Sequence, residues 1–210
     1  MDYKNLETLI AKINTAHAEI SYRWEKSDDY VKINLARKYV IDIFRSSSVS
    51  DLLDIIFKYR NFLCSESLNF GLELSSLGYE FRVKNQNSIE SKLAVYMHKG
   101  EEAGHALNGE IPLIKCVNDL FGARYILKDK DGSLQDVFDW LKIKYPKLRI
   151  TDSSKNDYKA IHVYFKQNNT TFPWELQIWK QSDAAANKES HKKYKQDYTN
   201  WEKESKKEVD

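Results

Sequence analysis

Four side chains near the middle of the chain have the types and the spacing of a phosphate-binding site. Arg82 and Lys84 stand two residues apart in an alternating stretch, residues 79–84, and a strand there would place both cations on one face. Ser88 and Lys92 follow at the start of a predicted helix, where backbone N–H groups and the helix dipole favour an anion. Together the four residues predict a polyphosphate site.

Two carboxylates later in the sequence could bind the cation that accompanies a polyphosphate. Asp119 precedes a predicted strand, and Glu175 lies in the alternating stretch Phe172-Pro-Trp-Glu-Leu-Gln-Ile-Trp179. A carboxylate in the middle of a strand costs free energy unless a charged group meets it. Magnesium takes one or two carboxylates together with phosphate oxygens, so Mg²⁺ is the expected ion at Asp119 and Glu175.

Cations that bind phosphate and carboxylates that bind Mg²⁺ are, in combination, typical of enzymes that transfer phosphoryl groups. Two simpler interpretations stay open from the residues alone. The stretch around Glu175 could be an edge strand with one face in water, and the basic residues could form ordinary surface ion pairs.

The elements around these residues predict an α+β fold, with a mixed sheet of about five strands and helices packed on it. Period-two alternation predicts strands at residues 79–84, 120–127, 149–150, 160–165 and 172–179, the last two as a hairpin. Helical spacing predicts helices at residues 88–96, 112–117 and 134–143, and one from about residue 181 to the end of the chain. Residues 99–110 are expected to form a flexible loop.

The first third of the sequence predicts only helices, at residues 3–24, 30–45 and 51–64. Ser50 is the expected N-cap of the third helix. We therefore expect a helical N-terminal region, residues 1–78, packed on a sheet domain that spans residues 79–210.

Composition limits the functional class. The chain has 210 residues and a formal net charge of +2, which excludes a broad nucleic-acid coat of the histone type but allows a local basic groove. Cys64 and Cys116 fit no metal-binding spacing and are expected to be buried free thiols in a reducing compartment. There is neither a signal-peptide pattern nor an apolar run of membrane length, so a cytoplasmic protein without membrane contact is expected.

Four motifs resemble, in order and in internal spacing, the synthetase domain of the RelA/SpoT family over about residues 79–195. They are Arg82-x-Lys84-x-x-x-Ser88-Ile89-x-x-Lys92, Asp119-Leu-Phe-Gly122-x-Arg124, Tyr158-x-x-Ile-His162 and Glu175-Leu-Gln177-Ile. The resemblance implies a sheet similar to that of nucleotidyltransferases. It also implies an enzyme that transfers the β,γ-pyrophosphate of ATP to a ribose 3′-hydroxyl.

The same resemblance implies a role for each motif. For ATP, Arg82 and Arg124 would hold the adenine, and the phosphates would contact Lys84, Ser88 and Lys92. Asp119 and Glu175 would bind Mg²⁺, and Glu175 would also help to deprotonate the attacking hydroxyl. For the acceptor, Tyr158 would stack under the base, with three further acceptor-binding residues nearby: Lys155, His162 and Gln177.

The sequence also departs from the family pattern. It lacks the His-Asp pair of the family's hydrolase half, so a single-domain synthetase without hydrolase activity is expected. Asp157 stands where the family usually has glycine, and Trp179 stands where it has a basic residue that helps to grip phosphates. These changes resemble the toxic branch of the small alarmone synthetases, some of which pyrophosphorylate the 3′ end of tRNA. Asp157 beside Tyr158 would disfavour an acceptor that carries its own polyphosphate.

We therefore expect a growth-inhibiting toxin that acts on the tRNA 3′ end and is restrained by a separate antitoxin protein. The main alternative is a stringent-response enzyme that makes alarmones from GDP or GTP, and adenosine nucleotides are a third possible acceptor. A nucleotide-binding module without activity is the non-enzymatic alternative.

A tRNA acceptor needs phosphate contacts outside the catalytic pocket, because its acceptor stem extends past the reactive end. The candidate residues are Arg23, Lys26, Lys32, Arg37, Lys38, Lys192, Lys193 and Lys195. The alternative is that these cations only keep exposed helix faces soluble.

Overall fold

A five-stranded mixed sheet forms the centre of the protein in a computed structural model that describes residues 3–45, 49–99 and 107–190. The strands are β1 Glu80–Val83, β2 Phe121–Leu127, β3 Arg149–Asp152, β4 Ile161–Phe165 and β5 Trp174–Lys180. Their order is β1-β2-β5-β4-β3, with β2 and β5 parallel and the other neighbours antiparallel. The predicted α+β class, the mixed sheet and the β4–β5 hairpin are confirmed.

Helices surround this sheet. They are α1 Lys4–Glu25, α2 Val40–Arg45, α3 Val49–Glu66, α4 Leu68–Ser76, α5 Gln86–Met97, α6 Leu113–Cys116 and α7 Leu134–Lys144. Short 3-10 helices occupy Asp129–Asp131 and Gln181–Asp183, and residues 184–190 are helical. In the described ranges, every helix is too short or too polar to cross a membrane.

Strand β5 lies in the middle of the sheet, so the edge-strand interpretation of its sequence is wrong. β2 pairs with one side of it and β4 with the other, and both of its faces are buried. Only 5% of Glu175 and 6% of Gln177 is exposed. Polar side chains are thus held in the interior on the most buried strand, which requires polar partners for them.

The strand register gives the sheet one apolar and one polar face. Trp174, Leu176 and Ile178 lie on the apolar face, and the N-terminal helices pack against this side of the core. His17 of α1 reaches the carbonyl oxygen of Phe172 with its Nε2 at 2.9 Å. Trp174 donates its indole N–H to the hydroxyl of Tyr59 on α3 at 3.1 Å. These bonds fix the position of the first helices relative to β5.

Residues 30–39 are irregular, so the helix predicted over residues 30–45 is limited to α2. The Asn34 side chain accepts a hydrogen bond from the Ala36 N–H at 3.1 Å, which competes with a helical turn. The Leu35 N–H donates to the Asn169 carbonyl at 2.8 Å, and the Leu35 carbonyl accepts from the Ile114 N–H at 2.9 Å. Tertiary hydrogen bonds therefore replace the intrahelical ones.

Other sequence predictions also need correction. Helix α3 begins at Val49, so Ser50 lies inside it and is not its N-cap, and α4 was not predicted. Helix α5 begins at Gln86, two residues before the predicted start, and its N-cap is Asn85, whose side chain accepts from the Ser88 N–H at 2.8 Å. Cys116 is buried as expected, but Cys64 is exposed. Residues 100–106 and 191–210, where parts of the predicted loop and last helix fall, lie outside the described ranges.

We predict that Trp174 is a main source of stability. It is fully buried and stacks on Phe121 with ring centroids 4.2 Å apart. Trp174→Ala should lower the free energy of unfolding by about 3–5 kcal/mol, because it leaves a large cavity. Denaturant titration measures this change. Ile143→Ala, at a position that is 83% exposed, is the control and should stay within about 0.5 kcal/mol of the wild type. Similar stabilities for the two variants would contradict this role.

Candidate functional site

A buried carboxylate with three cations around it lies at the edge of the sheet where β1 ends and β2 begins. Asp119 is 8% exposed and pairs with Lys84 Nζ at 2.6 Å, Lys92 Nζ at 3.0 Å and Arg82 Nη2 at 3.7 Å. Lys92 also donates to the Asn118 side chain at 2.9 Å. β1 supplies Arg82, the residue after β1 is Lys84, and α5 supplies Lys92. Since the cations outnumber the carboxylate, the cluster has surplus positive charge and favours an anion.

The protonation of this cluster depends on burial and on its ion pairs. Burial lowers the pKa of Lys84 to about 8, although Asp119 acts in the opposite direction. Burial also disfavours the charge on Lys92, but Asp119 outweighs that effect and raises the pKa of Lys92. For Asp119, burial favours the neutral acid, but Lys92 and Lys84 hold its pKa well below the usual range. Lys84 is therefore the member whose charge changes near neutral pH.

Helix α5 begins next to the cluster, directly after Lys84 and its cap Asn85. Ser88 lies in the first turn of α5, and Lys92 is about one turn further on. Within the described residues, the Ser88 hydroxyl makes no hydrogen bond with another side chain or with the backbone. The predicted phosphate-binding residues Arg82, Lys84, Ser88 and Lys92 are thus brought together.

A cleft of about 190 Å³ opens beside the cluster on the polar face of the sheet. Its walls are formed by Glu80, Phe81, Arg82, Gly122, Ala123, Arg124 and Gln177. The Arg124 guanidinium is ion-paired with Glu80, and its Nη2 donates to Gln177 Oε1 at 3.3 Å. Its Cζ lies 3.5 Å from the centre of the Trp179 ring. Both arginines expected to hold an adenine therefore line one cleft.

A second carboxylate, Glu175, lies on β5 next to this cleft. Its Oε1 is 2.9 Å from His162 Nδ1, and its Oε2 accepts from Gln177 Nε2 at 2.8 Å. Burial favours the neutral acid, but His162 and the Gln177 hydrogen bond outweigh it and lower the pKa of Glu175. The carboxylate is therefore ionised and oriented on both oxygens.

The hydrogen bonds continue from His162 to the predicted acceptor residue Tyr158. His162 Nε2 lies 2.8 Å from the Tyr158 hydroxyl, which also accepts the Trp179 indole N–H at 3.2 Å. Because Trp179 stacks on Arg124, the contacts close into a ring. We call this the polar ring; its members are Arg124, Gln177, Glu175, His162, Tyr158 and Trp179.

Sequence reasoning missed two residues of this region. Tyr164 lies two residues after His162 on the same face of β4, and its hydroxyl is 3.3 Å from His162 Nδ1. Burial, with the Glu175 carboxylate nearby, raises the pKa of Tyr164, which keeps the hydroxyl protonated. The sequence could have indicated Tyr164, because a residue two positions after His162 on a strand lies on the same face. Asn187 is fully buried and bonds the backbone N–H and carbonyl of Lys159 at 2.9 and 2.8 Å, which no sequence pattern indicates.

Other predicted site residues lie away from the charge cluster and the polar ring. Lys155 is exposed in a tight turn, where Asn156 has a positive φ of 54° and the backbones of Lys155 and Tyr158 bond to each other. Arg23 is ion-paired with Glu66, and Lys26 Nζ lies 5.7 Å from the centre of the Tyr22 ring. Lys32, Arg37 and Lys38 are exposed in the segment before α2. Lys192, Lys193 and Lys195 lie outside the described ranges.

The two carboxylates fit magnesium only together with a phosphate ligand. Among the described residues, no group of three His, Cys, Asp or Glu side chains is arranged to hold a metal ion. Asp119 and Glu175 are both ionised, and they are near enough for the charge of Asp119 to act on the pKa of Glu175. Such a pair matches Mg²⁺ that takes its remaining ligands from phosphate oxygens and water.

Comparisons with known proteins find similar solved structures but no similar sequence family or curated protein. No protein-family model matches the sequence. A search of curated proteins gives no match either. The structure is similar to small alarmone synthetase 2 of Bacillus subtilis, with 20% identity, a TM-score of 0.37 and coverage of 70% of this chain and 81% of the other. It is also similar to small alarmone synthetase 1 of the same organism, with 19% identity, a TM-score of 0.38 and coverage of 67% of this chain and 81% of the other. Neither likeness decides what this chain binds.

We predict that anion binding at the charge cluster weakens as the pH rises. The Lys84 pKa of about 8 means that one of three cations is lost between about pH 7 and pH 9. The affinity for an anion that binds only when Lys84 is protonated should fall roughly tenfold over this range. Calorimetric titration with inorganic tripolyphosphate at both pH values measures it.

Lys84→Arg is the matched control, because a guanidinium keeps its charge throughout. The ratio of the affinities of the two proteins cancels the titration of the ligand itself. A pH dependence that is equal in both proteins would mean that Lys84 does not bind the anion.

Proposed function

We propose that this protein is a pyrophosphokinase, which transfers the β,γ-pyrophosphate of ATP to the ribose 3′-hydroxyl at the 3′ end of tRNA. The observation that carries the proposal is the surplus of positive charge around Asp119 beside a cleft lined by Arg82 and Arg124. A triphosphate supplies the negative charge that this cluster lacks, and a planar base suits a cleft with two guanidinium groups in its walls.

In the proposed complex, ATP phosphates take over the cations that now pair with Asp119. Lys84 and Lys92 contact the phosphates together with the Ser88 hydroxyl, and the N-terminus of α5 adds its N–H groups. This frees Asp119 to bind Mg²⁺ together with Glu175. Mg²⁺ would neutralise charge on the transferred group when bound.

Glu175 is proposed as the base for the acceptor. The 3′-hydroxyl oxygen attacks the β-phosphorus of ATP, and its proton passes to the Glu175 carboxylate. The bond between the β-phosphorus and the oxygen bridging to the α-phosphate breaks, and AMP leaves with that oxygen. His162 and Gln177 hold the carboxylate through one oxygen each, so its orientation is set before the acceptor arrives.

The position of several exposed cations supports a nucleic-acid acceptor. The segment with Lys32, Arg37 and Lys38 is bonded to α6, since the Leu113 N–H donates to the Lys38 carbonyl at 2.8 Å. Helix α6 carries the exposed Lys115 and leads directly to Asp119. None of these four cations forms an ion pair with another described residue, so they are available to the phosphates of an acceptor stem.

The turn that carries Tyr158 supports the same acceptor. Asp157 is exposed there and repels a nucleotide with its own polyphosphate, whereas the terminal adenosine of tRNA has none at that point. A tRNA blocked at its 3′ end cannot be aminoacylated. We therefore propose that the protein inhibits growth as a toxin and is restrained by a separate antitoxin protein.

The decisive experiment uses ATP labelled in the γ-phosphate, incubated with the protein and either bulk tRNA, GDP, GTP or adenosine nucleotides. We expect label on tRNA. Label on GDP or GTP without label on tRNA would identify an alarmone synthetase and reject the tRNA acceptor. Absence of label from every acceptor, in the presence of Mg²⁺, would reject the transferase.

The carboxylates generate a sharper prediction. Asp119→Asn or Glu175→Gln should lower the transfer rate by roughly a hundredfold or more, because each removes charge that the transition state requires. Asp139→Asn, at an exposed carboxylate on α7, is the control and should keep the wild-type rate. Circular dichroism checks that all three variants fold. Normal turnover in either site variant would contradict its assigned role.

Charge reversal tests the acceptor surface. The double variant Arg37→Glu/Lys38→Glu should weaken transfer to tRNA and make the rate less sensitive to salt, because fewer counterions are released on binding. Reversal of two exposed lysines elsewhere, Lys142→Glu/Lys147→Glu, is the matched control. Binding of a non-hydrolysable ATP analogue should be the same in both variants. Equal losses of tRNA transfer in the two variants would reject this surface.

A further inference from the structure

Trp179 contacts both halves of the candidate site at once. It lies near the end of the central strand β5 and is fully buried. One face of its indole lies 3.5 Å from the Arg124 Cζ, and its N–H donates to the Tyr158 hydroxyl at 3.2 Å. The Trp179 and Tyr158 rings are perpendicular, with centroids 6.0 Å apart. A single side chain thus joins a residue of the ATP cleft to the acceptor tyrosine.

We propose that Trp179 is a positioning residue that fixes Arg124 and Tyr158 relative to each other, and so sets the alignment of donor and acceptor. This inference rests on the proposed function, because it assigns Arg124 to ATP and Tyr158 to the acceptor. Trp179 itself acts through these two residues and not on the substrates.

The contacts of Arg124 show why an aromatic face is needed. Glu80 and Gln177 bind the edge of its guanidinium, but the buried Nε has no hydrogen-bond partner among the described residues. The indole face supplies the remaining stabilisation, since a desolvated cation over a tryptophan ring is strongly attracted. An aliphatic residue would remove this attraction, whereas phenylalanine would keep a ring under the cation.

The contacts of Tyr158 show why the indole N–H is needed as well. The hydroxyl has two ring partners, His162 Nε2 at 2.8 Å and the Trp179 N–H, which approach from different strands. The two bonds fix the tyrosine ring in position, and a fixed ring is what a stacking platform for a base requires. Phenylalanine at position 179 would remove this bond and keep an aromatic ring.

The test separates these two contacts with four variants: Trp179→Phe, Trp179→Leu, Tyr158→Phe and the double variant Trp179→Phe/Tyr158→Phe. Trp140→Phe on α7 is the matched control, because Trp140 packs against Tyr3 and Tyr145 and is remote from the polar ring. For each protein we would measure the dissociation constant of a non-hydrolysable ATP analogue, the transfer rate to tRNA at saturating ATP, and the melting temperature.

Trp179→Phe should leave the affinity for the ATP analogue unchanged and lower transfer about threefold to tenfold, as expected for one lost hydrogen bond. Tyr158→Phe removes this bond and the bond to His162, so its loss should be at least as large. The double variant should lose no more than Tyr158→Phe alone, because the bond between Trp179 and Tyr158 is already absent there. Trp179→Leu should also lower the affinity for the ATP analogue, by up to roughly thirtyfold, because the Arg124 guanidinium loses the aromatic ring that it contacts.

Three results would overturn the inference. One is an unchanged transfer rate in Trp179→Phe, equal to that of Trp140→Phe. A second is a double variant whose loss is the product of the single losses. A lower melting temperature of Trp179→Leu with unchanged analogue affinity would likewise assign Trp179 to packing alone. Absence of transfer in the wild type would instead reject the proposed function, on which the inference rests.

Discussion

The electrostatic attraction between Asp119 and the cations around it is the interaction on which the rest of the site depends. A carboxylate this buried would be neutral without them, and the cations would repel one another without it. Lys84 approaches it from the residue after β1 and Lys92 from α5, so the ion pairs also join these two parts of the chain to the start of β2. The cluster still has more positive than negative charge, which makes it both a structural contact and an anion site.

The polar ring supplies partners for the buried polar groups of the neighbouring strands, as the cations do for Asp119. Glu175 and Gln177 are held inside the protein by β5, and each must find partners there. Gln177 uses both ends of its amide, accepting from Arg124 and donating to Glu175. The network therefore orients a cation, a carboxylate and a tyrosine by one continuous set of contacts. Groups arranged in this way need little reorganisation when a substrate binds.

Burial of polar groups on one face of the sheet costs free energy, and apolar packing on the opposite face offsets this cost. Trp174, Leu176 and Ile178 alternate with the polar residues of β5 and pack into the apolar core under the N-terminal helices. The irregular segment before α2 is fastened to α6 and to the turn before β5 by backbone hydrogen bonds. Exposed cations far away in sequence are thereby held on a segment bonded to α6, the helix that leads to Asp119.

The sequence by itself determined the strands, the α+β class and the residues that share a face, because alternation reports burial on one side of a strand. It also indicated Arg82, Lys84, Lys92, Asp119 and Glu175 as a group. Only the tertiary structure decided that β5 is central and parallel to β2, that residues 30–39 are not helical and that Trp179 closes the polar ring. Pairing between distant segments depends on many packing contacts together, and local periodicity carries no information about them.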